Sequence, residues 1–253
     1  MTDFSTQAAE ATLRMRKLFP ATPLQRNDYL SLAYDADIWL KREDLSPVRS
    51  YKLRGAYNAM SKQMDKQVFV CASAGNHAQG VAFVCRHMCK NGVIFMPVTT
   101  PQQKINKTKL FGGEWVEVRL VGDYFDDTLR ASQAYCSEVE GHFLSPFDDL
   151  DVIEGQATVT HEMLEQLEGA PDILILPVGG GGLSSSARRL LMERAPDTEI
   201  FYVEPTGGKS LAAAVLAGEP TTIKNVDTFV DGAAVACIGK HTFAALKGID
   251  ADH

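Results

Sequence analysis

The sequence contains no CxxC pair, no run of apolar residues long enough to cross a bilayer and no cluster of basic side chains. Each absence removes a class of function. The five cysteines, Cys71, Cys85, Cys89, Cys136 and Cys237, form an odd, scattered set that suits a reducing compartment better than a disulfide framework. Cys85 and Cys89 stand four apart with His87 between them. On a helix the two sulfurs would share a face and the imidazole would point elsewhere, so ordinary packing is favoured over a metal site. Lysine and arginine are spread singly through a chain of net charge -7, which argues against nucleic acid as a partner. Without a long apolar run no membrane span is expected. Arg14, Arg16 and Lys17 follow no apolar core and are accompanied by Asp3 and Glu10, so no export signal is read and the cytoplasm is the expected compartment. Internal repeats, low-complexity tracts and linkers are also missing.

What remains is ordinary globular material, 253 residues with 45% apolar and 23% charged content, and the expected partner is a small molecule. The pattern alternates strand and helix. A strand at Ile38 to Lys41 precedes Glu43-Asp44 and a helix from about Ser50, whose side chain is a candidate cap. The apolar run Val68 to Ala72 leads through a polar loop, Ser73 to Gly80, into a helix from Val81 to His87. Then follow strand Val93 to Met96, helix Gln102 to Leu110 closed by Gly112-Gly113, strand Glu114 to Val118 and helix Asp123 to Glu140. Helix Val152 to Leu167, strand Ile173 to Leu176, helix Leu183 to Arg194 and strand Ile200 to Val203 complete the rhythm, with a last helix near Thr242 to Leu246. Such βα alternation predicts a mainly parallel sheet covered by helices, with ligands at the carboxyl ends of the strands.

Three places carry candidate chemistry. Lys52 falls in the first turn of its helix, and an amine becomes a nucleophile and base when desolvation or cationic neighbours lower its pKa; Arg49 and Arg54 are the nearby cations. Most lysines near a helix start are simply solvated. Gly179-Gly180-Gly181-Gly182-Leu183 follows a strand and opens a helix, which sets unhindered N–H groups at a positive helix terminus; a phosphate cup is favoured over a merely tight turn, which needs only one or two glycines. It is not a dinucleotide fingerprint, because Ser185 stands where the last glycine is needed, and Gly208-Lys209-Ser210 is not a P-loop, because its leading glycine is Val203. The loop Ser73 to Gly80 offers a hydroxyl, an amide, an imidazole and backbone donors. It reads equally as a carboxylate site or as a capped loop that satisfies itself.

Together these segments resemble the pyridoxal-phosphate enzymes of the tryptophan-synthase β type (fold type II), and within them the threonine dehydratases or threonine deaminases. The resemblance runs from Thr22-Pro23-Leu24 nearly to the last residue. It is carried by Lys41-Arg42-Glu43-Asp44-Leu45, Ser50 to Asn58, Ser73 to Gly80, Pro146-Phe147-Asp148-Asp149, Pro177 to Leu183 and Phe229 to Val235. It implies a two-domain α/β fold, each domain a mainly parallel sheet flanked by helices. Residues 1-67 and 148-253 would form a large cofactor-binding domain and 68-147 a small domain. It further implies pyridoxal 5'-phosphate held by Lys52 as a Schiff base, with Asn76 on the ring hydroxyl and Gly179, Gly180, Gly181, Gly182 and Leu183 around the phosphate. Ser73, Asn76 and His77 would receive the substrate carboxylate. The implied reaction is β-elimination and deamination of L-threonine to 2-oxobutanoate and ammonia, the first step toward isoleucine, with serine as a poorer substrate and Lys52 as the base. Full-length members are implied to be homo-oligomers.

Three departures from the family pattern qualify this. Related serine racemases carry a second serine in the polar loop, where this chain has Ala74, so racemisation is disfavoured. Ser210 replaces a carboxylate near Glu204 that those relatives use for a divalent ion, so no metal site is expected. Ala157 stands where glycine is usual. Family members also continue past residue 253 with further elements of the large domain, including a hydroxyl facing the pyridine nitrogen. The expectation is a truncated catalytic domain, its large domain incomplete, poorly active, prone to aggregate and without isoleucine feedback. The alternatives are a complete short protein, an inactive fragment, and a different lyase or racemase on the same scaffold.

Overall fold

The computed structural model describes residues 3–249, and the fold follows the alternation just read. Its first part is helix α1 (Phe4–Met15), strand β1 (Leu24–Arg26), helix α2 (Asp28–Tyr34), strand β2 (Trp39–Lys41) and helix α3 (Lys52–Ser61); β1 and β2 pair antiparallel. Next come β3 (Val68–Ala72), α4 (Asn76–Met88), β4 (Asn91–Met96), α5 (Gln102–Gly112), β5 (Val116–Leu120), α6 (Phe125–Glu138) and the short β6 (His142–Phe143). These strands form one parallel sheet in the order β5-β4-β3-β6. The last part holds α7 (Leu150–Leu167), β7 (Ile173–Pro177), α8 (Gly182–Arg194), β8 (Glu199–Val203), α9 (Ser210–Ala217) and α10 (Lys240–Leu246), with β7 and β8 paired in parallel. Among the described residues no helix is long and apolar enough to cross a membrane.

Each central element is where its side chains require it. Strand β3 is buried along Phe69 to Ala72, which is why it occupies the middle of its sheet and reads as an unbroken apolar run. Helix α7 is capped by Asp149, whose carboxylate accepts from Val152 N at 2.9 Å, and is buried from Val152 to Leu164 because α1, α3 and α8 all pack on it. The α3–α7 crossing is close: a Cβ on Gly155 would lie 2.7 Å from Gly55 Cα and 2.6 Å from Arg54 O. Ala157, two residues on, is fully buried against Phe4, Ala8, Ile153 and Leu190, so its methyl group fills space between α7 and its neighbours.

Some boundaries differ from the sequence expectation. Helix α4 starts at Asn76, five residues before Val81, because Ala78 and Gly80 are small enough to lie against α3. Ser50 does not cap α3, which begins at Lys52 after Tyr51; the Ser46 hydroxyl instead bonds both Ser50 N and Ser50 O at 2.9 Å. Strand β5 begins at Val116 after a short 3-10 turn, and Gly113 closes α5 with φ +58°. Because α4 ends at Met88 and Cys89 is left-handed, Cys85 is buried and Cys89 exposed, so the two sulfurs do not share a face.

A buried ion cluster ties the first part of the chain to α7. Arg54 is fully buried, and its guanidinium donates to both Glu162 carboxylate oxygens at 2.7 and 2.8 Å and to both Glu43 oxygens at 2.8 Å. Lys41 and Arg16 also contact Glu162. Removing one partner of such a cluster leaves charge buried without compensation. We expect Arg54→Met to lower the unfolding free energy by about 3–5 kcal/mol, read as a lower urea midpoint. An unchanged midpoint would show that Lys41 and Arg16 suffice to hold the two carboxylates.

Candidate active site

The site begins at the contact between α3 and α4. A Cβ on Gly80 would sit 2.9 Å from Leu53 N and 3.2 Å from Lys52 C, so only glycine lets the α4 backbone reach the first turn of α3. This contact sets Lys52 beside the polar loop that leaves β3. Lys52 is half-buried as a residue, and its Nζ donates to Pro146 O at 2.8 Å. Burial lowers its pKa from 10.5 to about 8. Neighbouring cations, expected from the sequence to help, are not the cause. Arg54, two residues on, points elsewhere into the carboxylates of Glu43 and Glu162.

In the polar loop Ser73 continues the sheet, its N–H donating to Phe95 O at 3.1 Å, while its hydroxyl accepts from Gly75 N at 3.2 Å. Asn76 opens α4 and is exposed, whereas His77 is buried. The His77 ring meets Leu144 O through Nε2 at 3.0 Å. A carbonyl only accepts, so Nε2 carries the proton and Nδ1, which has no hydrogen-bond partner, is a bare lone pair. Burial, and secondarily the charge of Lys52, push the His77 pKa to about 3, so the ring stays neutral. A neutral ring with its one N–H already engaged has nothing to donate to a carboxylate. What His77 can offer an anion is its backbone N–H at the start of α4.

The glycine turn lies between β7 and α8. Val178 N extends the β7–β8 ladder to Val203 O at 2.9 Å, and Gly181 takes φ +87° immediately before the 13-residue helix α8. Its glycines are required by contact as well as by conformation: a Cβ on Gly180 would be 2.2 Å from the Phe147 ring, and one on Gly179 3.2 Å from Ala233 Cα. The first N–H groups of α8 have no acceptor within the helix, which leaves donors and a positive helix end for an anion.

The segment 144–149 joins these parts, and sequence reasoning gave it no role beyond a matching motif. Leu144 O receives His77, Pro146 O receives Lys52, and Phe147 packs under Gly180 and Gly182. The Asp148 carboxylate accepts from Lys240 N at 3.0 Å and His241 N at 2.7 Å at the start of α10, and Asp149 caps α7. Its fivefold use becomes visible only once α3, α4, α8 and α10 are assembled around it. Farther off, the Glu204 carboxylate is spent on Leu211 N and Ala212 N of α9 at 2.7 and 3.0 Å.

Comparison with known proteins adds independent findings. Residues 16–251 match the family described as pyridoxal-phosphate dependent enzyme. The chain is 48% identical over 231 residues to the biosynthetic L-threonine dehydratase IlvA of Bacillus subtilis (strain 168), covering 90% of this chain and 55% of that protein. It is 46% identical over 239 residues to the corresponding protein of Lactococcus lactis subsp. lactis (strain IL1403), covering 92% and 58%. The chain thus spans a little over half the length of these curated relatives. Among solved structures it resembles the processed form of threonine deaminase isoform 2 from Solanum lycopersicum, with a TM-score of 0.87 and 37% identity over 95% of this chain and 67% of that one. Maize serine racemase gives a TM-score of 0.90 at 25% identity, over 98% and 75%.

The burial of Lys52 has a direct test. Because the fold disfavours its ammonium form, the amine should be half deprotonated near pH 8, where an ordinary lysine of pKa about 10.4 is well under ~1% deprotonated. Reductive methylation followed peptide by peptide should therefore reach a plateau for Lys52 while exposed lysines still accelerate. Labelling of Lys52 in parallel with exposed lysines up to about pH 10 would contradict the assignment.

Proposed function

This chain belongs to the pyridoxal-phosphate dependent enzyme family, and from that premise we propose that it deaminates L-threonine to 2-oxobutanoate and ammonia. The observation that carries this reading is the desolvated Lys52 amine held on the same six-residue strap as the glycine turn. Its similarity to threonine dehydratases over nine-tenths of its length supports the choice of substrate. Serine, which differs from threonine by one methyl group, is the secondary substrate, and the product class leads toward isoleucine. Residues 68-147 act as the small domain, and 1-67 with 148-253 as the large one.

The donor set fits the cofactor. Lys52 supplies the amine, the N–H groups from Gly179 to Leu183 a place for the phosphate, and the exposed Asn76 amide a partner for the ring hydroxyl. When bound, pyridoxal phosphate supplies an aldehyde that condenses with amines and a ring that withdraws electrons from the substrate Cα. The chain's own residues do the rest. The backbone N–H groups at the start of α4, with Ser73, receive the carboxylate. Lys52, whose pKa is lowered to about 8 so that far more of the amine is neutral near physiological pH than in an ordinary lysine, takes the Cα proton. The Cβ hydroxyl takes up one proton and leaves as water, balancing the proton that Lys52 removes from Cα, and hydrolysis of the resulting enamine consumes one water and releases ammonia. Ala74 carries no proton donor, which favours elimination over inversion at Cα.

The test is a titration of the whole chain with pyridoxal 5'-phosphate, followed by keto-acid detection with threonine and with serine. We expect saturable uptake and faster keto-acid release from threonine. Lys52→Ala should lower turnover by at least about a thousandfold, since one amine both anchors and deprotonates. Equal turnover in that variant would remove Lys52 from the mechanism. Altered substrate chirality without keto acid would replace the lyase reading with a racemase.

A further inference from the structure

The glycine turn is held from its far side by α10, and one side chain makes the contact. Thr242 is fully buried, and its hydroxyl lies 2.8 Å from Gly180 O and 3.1 Å from Gly239 O. A hydroxyl has one proton to give, and the shorter contact is the one across the structure. The other donor to Gly180 O is Gly239 N at 3.4 Å, a long bond. Thr242 Cβ and Oγ1 would also be the nearest atoms, at 3.0 Å, to a Cβ on Gly181. Thr242 is placed in turn by Asp148, whose carboxylate collects the first N–H groups of α10.

Peptide geometry converts this contact into a consequence for the turn. No cis peptide bond occurs among the described residues, and in a trans peptide the C=O and N–H point in opposite directions. With Gly180 O directed at Thr242, the N–H of Gly181 in the same peptide is directed away from α10. Glycines stand on both sides of that peptide, so its own side chains do not fix it, and Thr242 supplies the shorter of the two hydrogen bonds that hold its carbonyl.

We propose that Thr242 is a positioning residue for the phosphate end of the cofactor, fixing the Gly180–Gly181 peptide so that Gly181 N–H is presented to the anion. This rests on the pyridoxal-phosphate reading and adds a residue outside the glycine motif to it. The effect belongs to the phosphate and not to the ring or the aldehyde, and that separates it from general support of the fold.

The experiment compares binding of pyridoxal 5'-phosphate and of pyridoxal, which lacks the phosphate, to the wild-type chain and to Thr242→Val and Thr242→Ser. Binding is read by equilibrium titration without substrate. Thr242→Val should weaken the phosphorylated ligand about tenfold, the scale of one lost hydrogen bond to a buried acceptor. It should leave pyridoxal unchanged, and Thr242→Ser should restore the affinity. Unaltered affinity for the phosphorylated ligand in Thr242→Val overturns the proposal. So does equal weakening of both ligands, which would mark Thr242 as scaffold. A wild-type chain that binds the two ligands equally would instead sink the phosphate role of the turn, and Thr242's role with it. Should Thr242→Val fail to fold, Thr242→Ala removes the same hydroxyl without adding volume and is read in the same way.

Discussion

The short segment from Leu144 to Asp149 is the constraint on which the site depends, because separate parts of the chain are fastened to five of its six residues. His77 is tied to Leu144 O, Lys52 to Pro146 O, the glycine turn to Phe147, α10 to Asp148 and α7 to Asp149. A segment so placed leaves little freedom in the separation between the amine and the anion cup. On the proposed function, one small rigid molecule has to bridge that separation. The two ties to His77 and Lys52 are backbone carbonyls, which have no rotamers to lose and cannot ionise.

Lys52 and Arg54 show how one helix holds two cations to opposite ends. Residues two apart on a helix face different directions. Arg54 turns into a pair of carboxylates with matching fork geometry and remains a permanent charge that clamps α3 to α7. Lys52 turns to a single neutral carbonyl, so nothing repays the desolvation of its ammonium and the pKa falls. Exchanging the two residue types would misplace both roles, since a guanidinium does not give up its proton and an amine cannot hold two carboxylates in a fork.

Much of this was legible in advance, and the reasons are specific. Strand β3 matches its apolar run residue for residue, because a fully buried strand has no alternation to blur its ends. The glycine turn stands out in the sequence because four glycines exceed what a tight strand-to-helix turn needs, whereas Lys52 alone reads as a solvated lysine and stands out only beside the other family-like segments. Helix α1 was overlooked although Phe4, Ala8, Ala11 and Met15 follow a helical spacing behind Asp3, whose side chain accepts from Thr6 N. The start of α4 was missed because Asn, His and Gln read as loop residues, and only the press of α4 against α3 explains why they are helical. Strand β6 has two residues and could not be read from any periodicity.

The residues that escaped sequence reasoning share a physical feature: their function is exerted through main-chain atoms of other residues. Asp148 acts on N–H groups of α10, and Thr242 on the carbonyl of Gly180. Motif reading looks for side chains that touch a ligand, and these never need to. Their signal is a glycine whose missing side chain is another residue's space, such as Gly180 against Phe147 or Gly239 against Asp148. A glycine of this kind points to its neighbour as firmly as to itself. Gly75, with nothing within 4 Å of the place its Cβ would occupy, carries no such message, and its position before α4 is explained by the loop alone. Separating glycines that make room for a protein group from those that face open space therefore tells which turns are held and which are merely flexible.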